Sequence, residues 1–309
     1  MKLATYVKNG NPTVGAVVGE QIYDLAACLQ GNGHGTPSWA TSVRSLLAAG
    51  VDALTTAQAA LTWAQDHGDG TLTQPLAETE LLAPIPCPGK LLCLAGNYAS
   101  HIQEGGGTYV GKEKMIPRFF SKPCTAIIGT KGTIQIPPSV AWADWELELA
   151  VVIGKTGRAI KAEEAGDYIG GYTVFNDISG RELAFRESLP LQEGDWFFDW
   201  QVGKWLDTFG PMGPWLTTAD EVPHPDRLAM KLWHNGTLHQ DASTGQMIFS
   251  PAEAIAFISQ FITLEAGDVI ATGTPAGVGL SKKIKLQPGD TIKGEIAGLG
   301  VLENGVAAL

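Results

Sequence analysis

Residues 144–153 read DWELELAVVI, an apolar, strand-like run into which two glutamates, Glu146 and Glu148, are set. Along a strand, side chains alternate between faces. Glu146 and Glu148 therefore share one face, with Asp144 at its entrance, while Leu147, Leu149 and Val151 share the other. The continuation LAVVIG is apolar on both parities, the pattern of a strand covered on both sides. Two ionised carboxylates side by side in a dry setting each cost several kcal/mol of desolvation and repel one another. A divalent cation reverses that balance, because hard oxygen ligands are what Mg²⁺, Mn²⁺ and Ca²⁺ bind. An edge strand with one solvated face is the competing reading, in which E-x-E is unremarkable.

A third carboxylate has a similar setting. Asp177 ends the β-prone run GGYTVFND, where a strand-end acid beside a turn suits a ligand, although Asn-Asp is also ordinary turn chemistry. Upstream, in GNYASHIQEGGG, His101 and Glu104 are three apart and share one face of a helical turn. A histidine held by a carboxylate keeps one tautomer and makes a better general base. Taken alone, His101 reads as an incidental surface histidine. The glycine-rich GGGTYVGKEKMIP that follows is either a mobile lid or a plain loop. The glycines of GTPAGVG (residues 273–279) fit neither the phosphate-loop pattern nor the dinucleotide fingerprint. There is no GxSxG elbow, and Cys93 has no evident partner, which argues against a serine or cysteine nucleophile.

The rest of the chain supplies the scaffold. KLATYV, a turn over Lys8–Thr13 and VGAVVGEQIYDL predict a hairpin, followed by helices around 39–49 and 51–66 and a polar stretch, HGDGTLTQP. From residue 90 short strands and turns dominate, with a hairpin at Asn235-Gly236 and a helix from Pro251 capped by Ser250 and Glu253. Strands without regular helix alternation predict an α+β fold around a β-rich core. A length of 309 residues allows one large domain plus a small one, divided here as 1–78 and 79–309. A net charge of −11 argues against nucleic-acid binding. No run of about 18 apolar residues is present to span a bilayer, and the start MKLATYVKNGNP lacks an apolar signal core. The four cysteines are scattered, so the expectation is reduced, buried thiols in a cytoplasmic protein.

Taken together, GNYASHIQE, RFFSKP, DWELELAVVIGK, YIGGYTVFNDISGRE, GKWLDTFGPMGPW, MIFSPAEAIAFIS and TLEAGDVIATGTPAGVG resemble the fumarylacetoacetate hydrolase family, in the family's order. The resemblance implies a mixed-sheet sandwich or roll core with a small N-terminal α/β domain. It implies Glu146, Glu148 and Asp177 as ligands of Mg²⁺ or Mn²⁺, with Ca²⁺ a further occupant. His101 would activate water with Glu104 as its partner, and Lys204 would offset negative charge on oxygen. Arg181 and Thr274 would contact substrate, with Lys122 a further candidate. Two positions depart from the pattern: Leu94 stands where the fumarylacetoacetate-cleaving enzymes carry a fourth acid, and Ala184 where the family often has glutamine. The first points to the three-carboxylate branch, which includes acylpyruvate hydrolases. The stretch RESLPLQEGDWFFDW is longer and more aromatic than in short members and would reshape the pocket. The implied activity is hydrolysis of a C–C bond in a β-diketo or 2-oxo acid. Isomerisation, decarboxylation or lactone opening of a related 2-oxo acid is the alternative. The implied assembly is a homodimer acting on a small molecule, with no nucleic acid or membrane partner.

Overall fold

The computed structural model describes residues 1–68 and 70–309. The N-terminal segment contains β1 (Lys2–Lys8), β2 (Asn11–Val18), β3 (Gln21–Asp24), α1 (Leu25–Gly31), α2 (Val43–Ala48), α3 (Val51–His67) and β4 (Thr73–Pro75). The first half of the body runs β5 (Leu91–Ala95), α4 (Ala99–Glu104), β6 (Arg118–Lys122), β7 (Ile127–Ile128), β8 (Thr133–Ile136), β9 (Val140–Asp144) and β10 (Leu147–Ile153). Next come β11 (Ile169–Asn176), β12 (Ser179–Leu183), α5 (Asp195–Lys204), β13 (Gly210–Thr218), β14 (Ala229–His234) and β15 (Thr237–Ser243). The chain closes with α6 (Pro251–Ile258), β16 (Val269–Ala271), α7 (Gly279–Lys282), β17 (Thr291–Ile296) and β18 (Gly300–Ala308). The architecture is the mixed α+β arrangement that the strand pattern predicts.

Local chemistry explains the element boundaries. The first hairpin turns at Asn9-Gly10, both with positive φ, so the turn is tighter than the predicted Lys8–Thr13 and β2 begins at Asn11. Asn235-Gly236 makes the same kind of turn between β14 and β15. The predicted 39–49 helix is divided, because the Ser42 side chain accepts from the Ser45 amide and starts α2 afresh after a 3₁₀ turn at Ser38–Thr41. Helix α1, not predicted, is capped by Asp24, which accepts from the Ala27 amide. Helix α6 starts at Ser250 with Pro251 at its first position and a reciprocal Ser250–Glu253 capping box. Within the polar stretch 67–75, Asp69 lies outside the described residues, and Thr73–Pro75 forms β4.

Strand pairing crosses the 78/79 division of the chain. β1 pairs antiparallel with β13, so the main sheet runs β4-β3-β2-β1-β13-β11-β10-β16-β5-β6 without a break. A second, five-stranded sheet, β15-β14-β17-β18-β8, covers one face of it, and β9 and β12 form a separate pair. β10 lies inside the main sheet, and every residue in it is buried. Leu147, Leu149 and Val151 pack into the core shared with Leu232, Ile292 and Leu302 of the second sheet. Ala150 and Val152 pack on the opposite side with Leu3, Leu46 and Leu47 of the N-terminal segment. Glu146 and Glu148 have the parity of that second side and are buried with it.

One expectation is corrected here. Cys28 and Cys93 are buried, but Cys87 and Cys124 are exposed. Both exposed thiols sit in proline-flanked links, Pro86-Cys87-Pro88 and Pro123-Cys124, that run over the surface and not through a core strand.

Candidate metal centre and histidine–carboxylate dyad

β10 and β11 are antiparallel with Leu147 opposite Asn176, which sets the start of one strand beside the end of the other. Glu148 lies in β10, Glu146 one residue before it and Asp177 one residue beyond β11, so register alone brings the three acids together. Each offers an oxygen within 4.8 Å of the others, and all three side chains are buried. The backbone fixes them. The Asp177 amide donates to the Glu146 carbonyl at 2.8 Å. The Glu146 amide donates to Asn176 Oδ1 at 3.0 Å, and the Gly273 amide to Glu148 Oε2 at 2.7 Å. Gly273 has φ +88°, and a Cβ there would press on Asn97 at 2.8 Å. The glycine-rich GTPAGVG turn thus carries a function that its lack of a phosphate-binding pattern concealed: it delivers an amide to a buried carboxylate.

Cations surround the acids unevenly. Lys204 Nζ lies 2.8 Å from Glu146 Oε2 and 2.6 Å from Asp177 Oδ2. Lys122 Nζ is 2.7 Å from Asp177 Oδ1 and also donates to the Ile178 carbonyl. Arg181 bridges Asp144, through Nε at 3.0 Å, and Glu146, through Nη2. Burial pushes the Glu146 carboxyl up, but Lys204 and Arg181 together hold it below the usual range. Asp144 is raised, since its burial outweighs Arg181. Burial lowers Lys204, but Asp177 and Glu146 leave it raised on balance. Glu148 differs: among the described residues no lysine or arginine ion-pairs with it. Burial first, then Asp177 and Glu146, push its carboxyl well above the ordinary value. A buried, carboxylate-only oxygen set with one member short of a counter-charge fits a hard divalent ion. Glu146, Glu148 and Asp177 are the residues that would hold it.

On α4, His101 Nδ1 lies 2.8 Å from Glu104 Oε1. The other Glu104 oxygen accepts from the Gly277 amide at 2.8 Å and from Ser281 Oγ at 2.7 Å. Gly277, at φ +109°, leaves no room for a Cβ against the His239 carbonyl, so the same turn that serves Glu148 also serves Glu104. Burial raises the Glu104 carboxyl, but the His101, Gly277 and Ser281 hydrogen bonds lower it below its ordinary value. An ionised carboxylate only accepts, so Nδ1 carries the proton and Nε2 is left as the basic nitrogen.

His101, Glu104, Glu146, Arg181, Lys204 and Thr274 line one cavity of about 480 Å³. Thr274 Oγ1 accepts from Gln240, which also receives the Leu147 amide and so ties the turn to β10. Lys122 is fully buried behind Asp177, and the structure gives it an Asp177 partner and no place in the cavity wall. Asp144 turns aside from the three acids to hold Arg181 and the Gly279 and Leu280 amides at the start of α7. Sequence reasoning missed Ser281, Gln240 and Trp200. No local pattern marks the first two, whereas Trp200 lies in the aromatic stretch already noted. The segment after α4 is docked: Lys112 pairs with Glu253 of the α6 capping box at 2.6 Å.

A family model described as fumarylacetoacetate (FAA) hydrolase C-terminal matches residues 90–307. The chain belongs to this family. It is 43% identical over 234 residues to the oxaloacetate tautomerase FAHD2B, mitochondrial, of Bos taurus, covering 75% of this chain and 71% of that one. It is 37% identical over 308 residues to the oxaloacetate tautomerase fahd2, mitochondrial, of Xenopus laevis, covering 99% and 90%. Among solved structures, maleylpyruvate hydrolase from Sphingobium sp. SYK-6, in complex with manganese(II) and pyruvate, superposes with a TM-score of 0.75. It is 31% identical and matches over 100% of this chain and 99% of that one. No helix among the described residues is long and apolar enough to cross a membrane.

Proposed function

We propose that this chain is a divalent-metal-dependent enzyme that moves a proton at carbon 3 of a 2-oxo acid, interconverting its keto and enol forms. The observation that carries the reading is one cavity lined both by the His101–Glu104 dyad and by Glu146, a member of the buried Glu146–Glu148–Asp177 cluster. The names of the bovine and frog relatives support tautomerisation as the outcome. When bound, the ion would polarise the substrate's carboxylate and 2-oxo oxygens as a Lewis acid. His101 Nε2 takes the carbon-3 proton and returns it to carbon or oxygen. Glu104 orients the ring and stabilises its protonated form, with Ser281 and the Gly277 amide holding Glu104 in turn. Lys204, in the same wall, offsets negative charge that develops on the 2-oxo oxygen. Arg181 and Thr274 position the carboxylate end, and Lys122 acts through Asp177.

Hydrolytic C–C cleavage of an acylpyruvate is the second reading. It is favoured by the same dyad, since a base held by a carboxylate is the arrangement that activates water, and by the pyruvate-bound maleylpyruvate hydrolase. One assay separates them. With Mn²⁺ or Mg²⁺, enol absorbance of oxaloacetate decays faster than in buffer under tautomerisation, and no pyruvate is released from acylpyruvates. Under hydrolysis, lactate dehydrogenase detects pyruvate from acylpyruvates. Chelator-insensitive rates, or full activity in His101→Ala, would overturn both.

A further inference from the structure

The cavity wall mixes two kinds of group: Glu146, Arg181, Lys204, the His101–Glu104 dyad and the Thr274 and Ser281 hydroxyls on one hand, and apolar side chains such as Leu94, Ile102, Phe120, Trp200 and Leu280 on the other. Trp200 and Phe120 meet edge to face, with ring centres 4.8 Å apart and planes at 69°. Trp200 comes from α5, one helical turn before Lys204, so the helix presents a cation and an aromatic ring on the same side. Phe197 stacks on Trp200 from behind at 6.3 Å and 26°.

The charged groups of the wall are already engaged. Arg181 serves Asp144 and Glu146, Lys204 serves Glu146 and Asp177, and His101 serves Glu104. A substrate whose carbon-3 arm ends in a second carboxylate would bring that charge to a wall whose lysine and arginine, Lys204 and Arg181, already answer the 2-oxo oxygen and the first carboxylate. A planar hydrocarbon arm meets the opposite situation, since the Trp200 and Phe120 side chains in the wall offer it apolar aromatic contact.

We propose that this cavity selects 2-oxo acids with a planar, apolar substituent on carbon 3, and that Trp200 sets the preference. The proposal rests on the enolisation reading above and names its substrate class. It sets this chain apart from oxaloacetate, the acid in the names of its relatives, which carries a carboxylate at that place. Trp200 and Phe120 also lie 5.9 Å and 5.3 Å from the Lys204 ammonium. A role confined to packing that lysine would affect all substrates alike, so the test uses ratios.

The experiment compares phenylpyruvate and oxaloacetate tautomerisation by the full chain with Mn²⁺, for wild type, Trp200→Ala and Trp200→Phe. Calorimetry then compares oxanilate, in which an amide nitrogen replaces the enolisable carbon, with oxamate, which lacks the ring. The expected kcat/KM ratio favours phenylpyruvate in the wild type, falls about tenfold in Trp200→Ala and largely returns in Trp200→Phe, the scale of one lost aromatic pairing. Oxanilate binds about tenfold more tightly than oxamate only where the aromatic ring is kept. A ratio unchanged in Trp200→Ala, or turnover of oxaloacetate with none of phenylpyruvate, overturns the substrate assignment and leaves the enolisation reading intact. Selective oxanilate binding without turnover of either acid overturns the enolisation reading and keeps the pocket preference. Absence of both overturns both.

Discussion

Replacing Lys204 with methionine removes the ammonium that lies between Glu146 and Asp177 and keeps the chain's shape. At 2.8 and 2.6 Å, each attraction is about 6 kcal/mol for an effective dielectric near 20, before the several kcal/mol that desolvating the ammonium costs. Removing one partner of a buried pair leaves a net loss of about 3–5 kcal/mol. For a chain of this size, about 2 °C per kcal/mol converts this to a metal-free Tm lower by about 6–10 °C. Lys204 has a raised value in the folded state, so its contribution is fully present below the ordinary lysine value, near pH 10.5, and is lost only above it. The gap between wild type and variant should therefore be constant from pH 7 to pH 9. Four carboxylates (Asp144, Glu146, Glu148, Asp177) here face three cations (Lys122, Arg181, Lys204), and the variant leaves two. Mn²⁺ at a hundredfold excess over its Kd stabilises by about 2.7 kcal/mol. It should raise the Tm of Lys204→Met more than that of the wild type, because no ammonium competes for the same oxygens. Differential scanning fluorimetry with Mn²⁺ and with EDTA reads both numbers. A metal-free Tm within 2 °C of wild type, or a larger Mn²⁺ shift in the wild type, would refute the view that Lys204 answers the acids' charge.

Other consequences are as direct. Glu148→Gln should abolish the Mn²⁺-induced Tm shift while leaving the metal-free protein at least as stable as wild type, because the carboxyl it removes is the one of the three with no ion-pair partner among the described residues; scanning fluorimetry measures both. Ser281→Ala removes one of three hydrogen bonds that hold Glu104 and should lower kcat about tenfold with little change in KM, from the roughly 1.5 kcal/mol that such a bond to a charged group carries. Glu104 has a lowered value in the folded state, so the stability it contributes is present above pH 4.5 and lost as pH falls through that lowered value. The stability difference between wild type and Glu104→Gln, from urea unfolding, should accordingly be flat from pH 5 to 8 and shrink below 4.5. A thiol reagent should modify two cysteines quickly in the folded chain, Cys87 and Cys124, and four in denaturant, because burial shields Cys28 and Cys93 and raises their thiols.

How much of the site was legible depends on the range of the interaction. Glu146 and Glu148 share a face because strand periodicity is local, and His101 meets Glu104 because three residues close a helical turn. The Ser250–Glu253 capping box and the Asn235-Gly236 turn are written in a few consecutive residues for the same reason. The convergence of Lys204 on Glu146, 58 residues away, is not local, and neither is the seat of Arg181 between Asp144 and Glu146. The GTPAGVG turn shows the difference most clearly. Its glycines matched no motif, yet their purpose is to bring two amides to carboxylates that lie 125 and 173 residues earlier.

The amino-acid order by itself determined the buried strand with its two acids, the histidine–carboxylate pair, the tight turns and the helix caps. Each follows from side-chain periodicity or from hydrogen bonds within one turn, which need no knowledge of distant chain. Only the tertiary structure decided that β1 continues the sheet through β13, that Lys122 stands behind Asp177 and not in the cavity wall, and that among the described residues Glu148, unlike Glu146 and Asp177, has no lysine or arginine ion-paired with it. Charge balance at a buried site is the sum over every group packed around it. That sum depends on strand register and burial, which no stretch of sequence carries on its own.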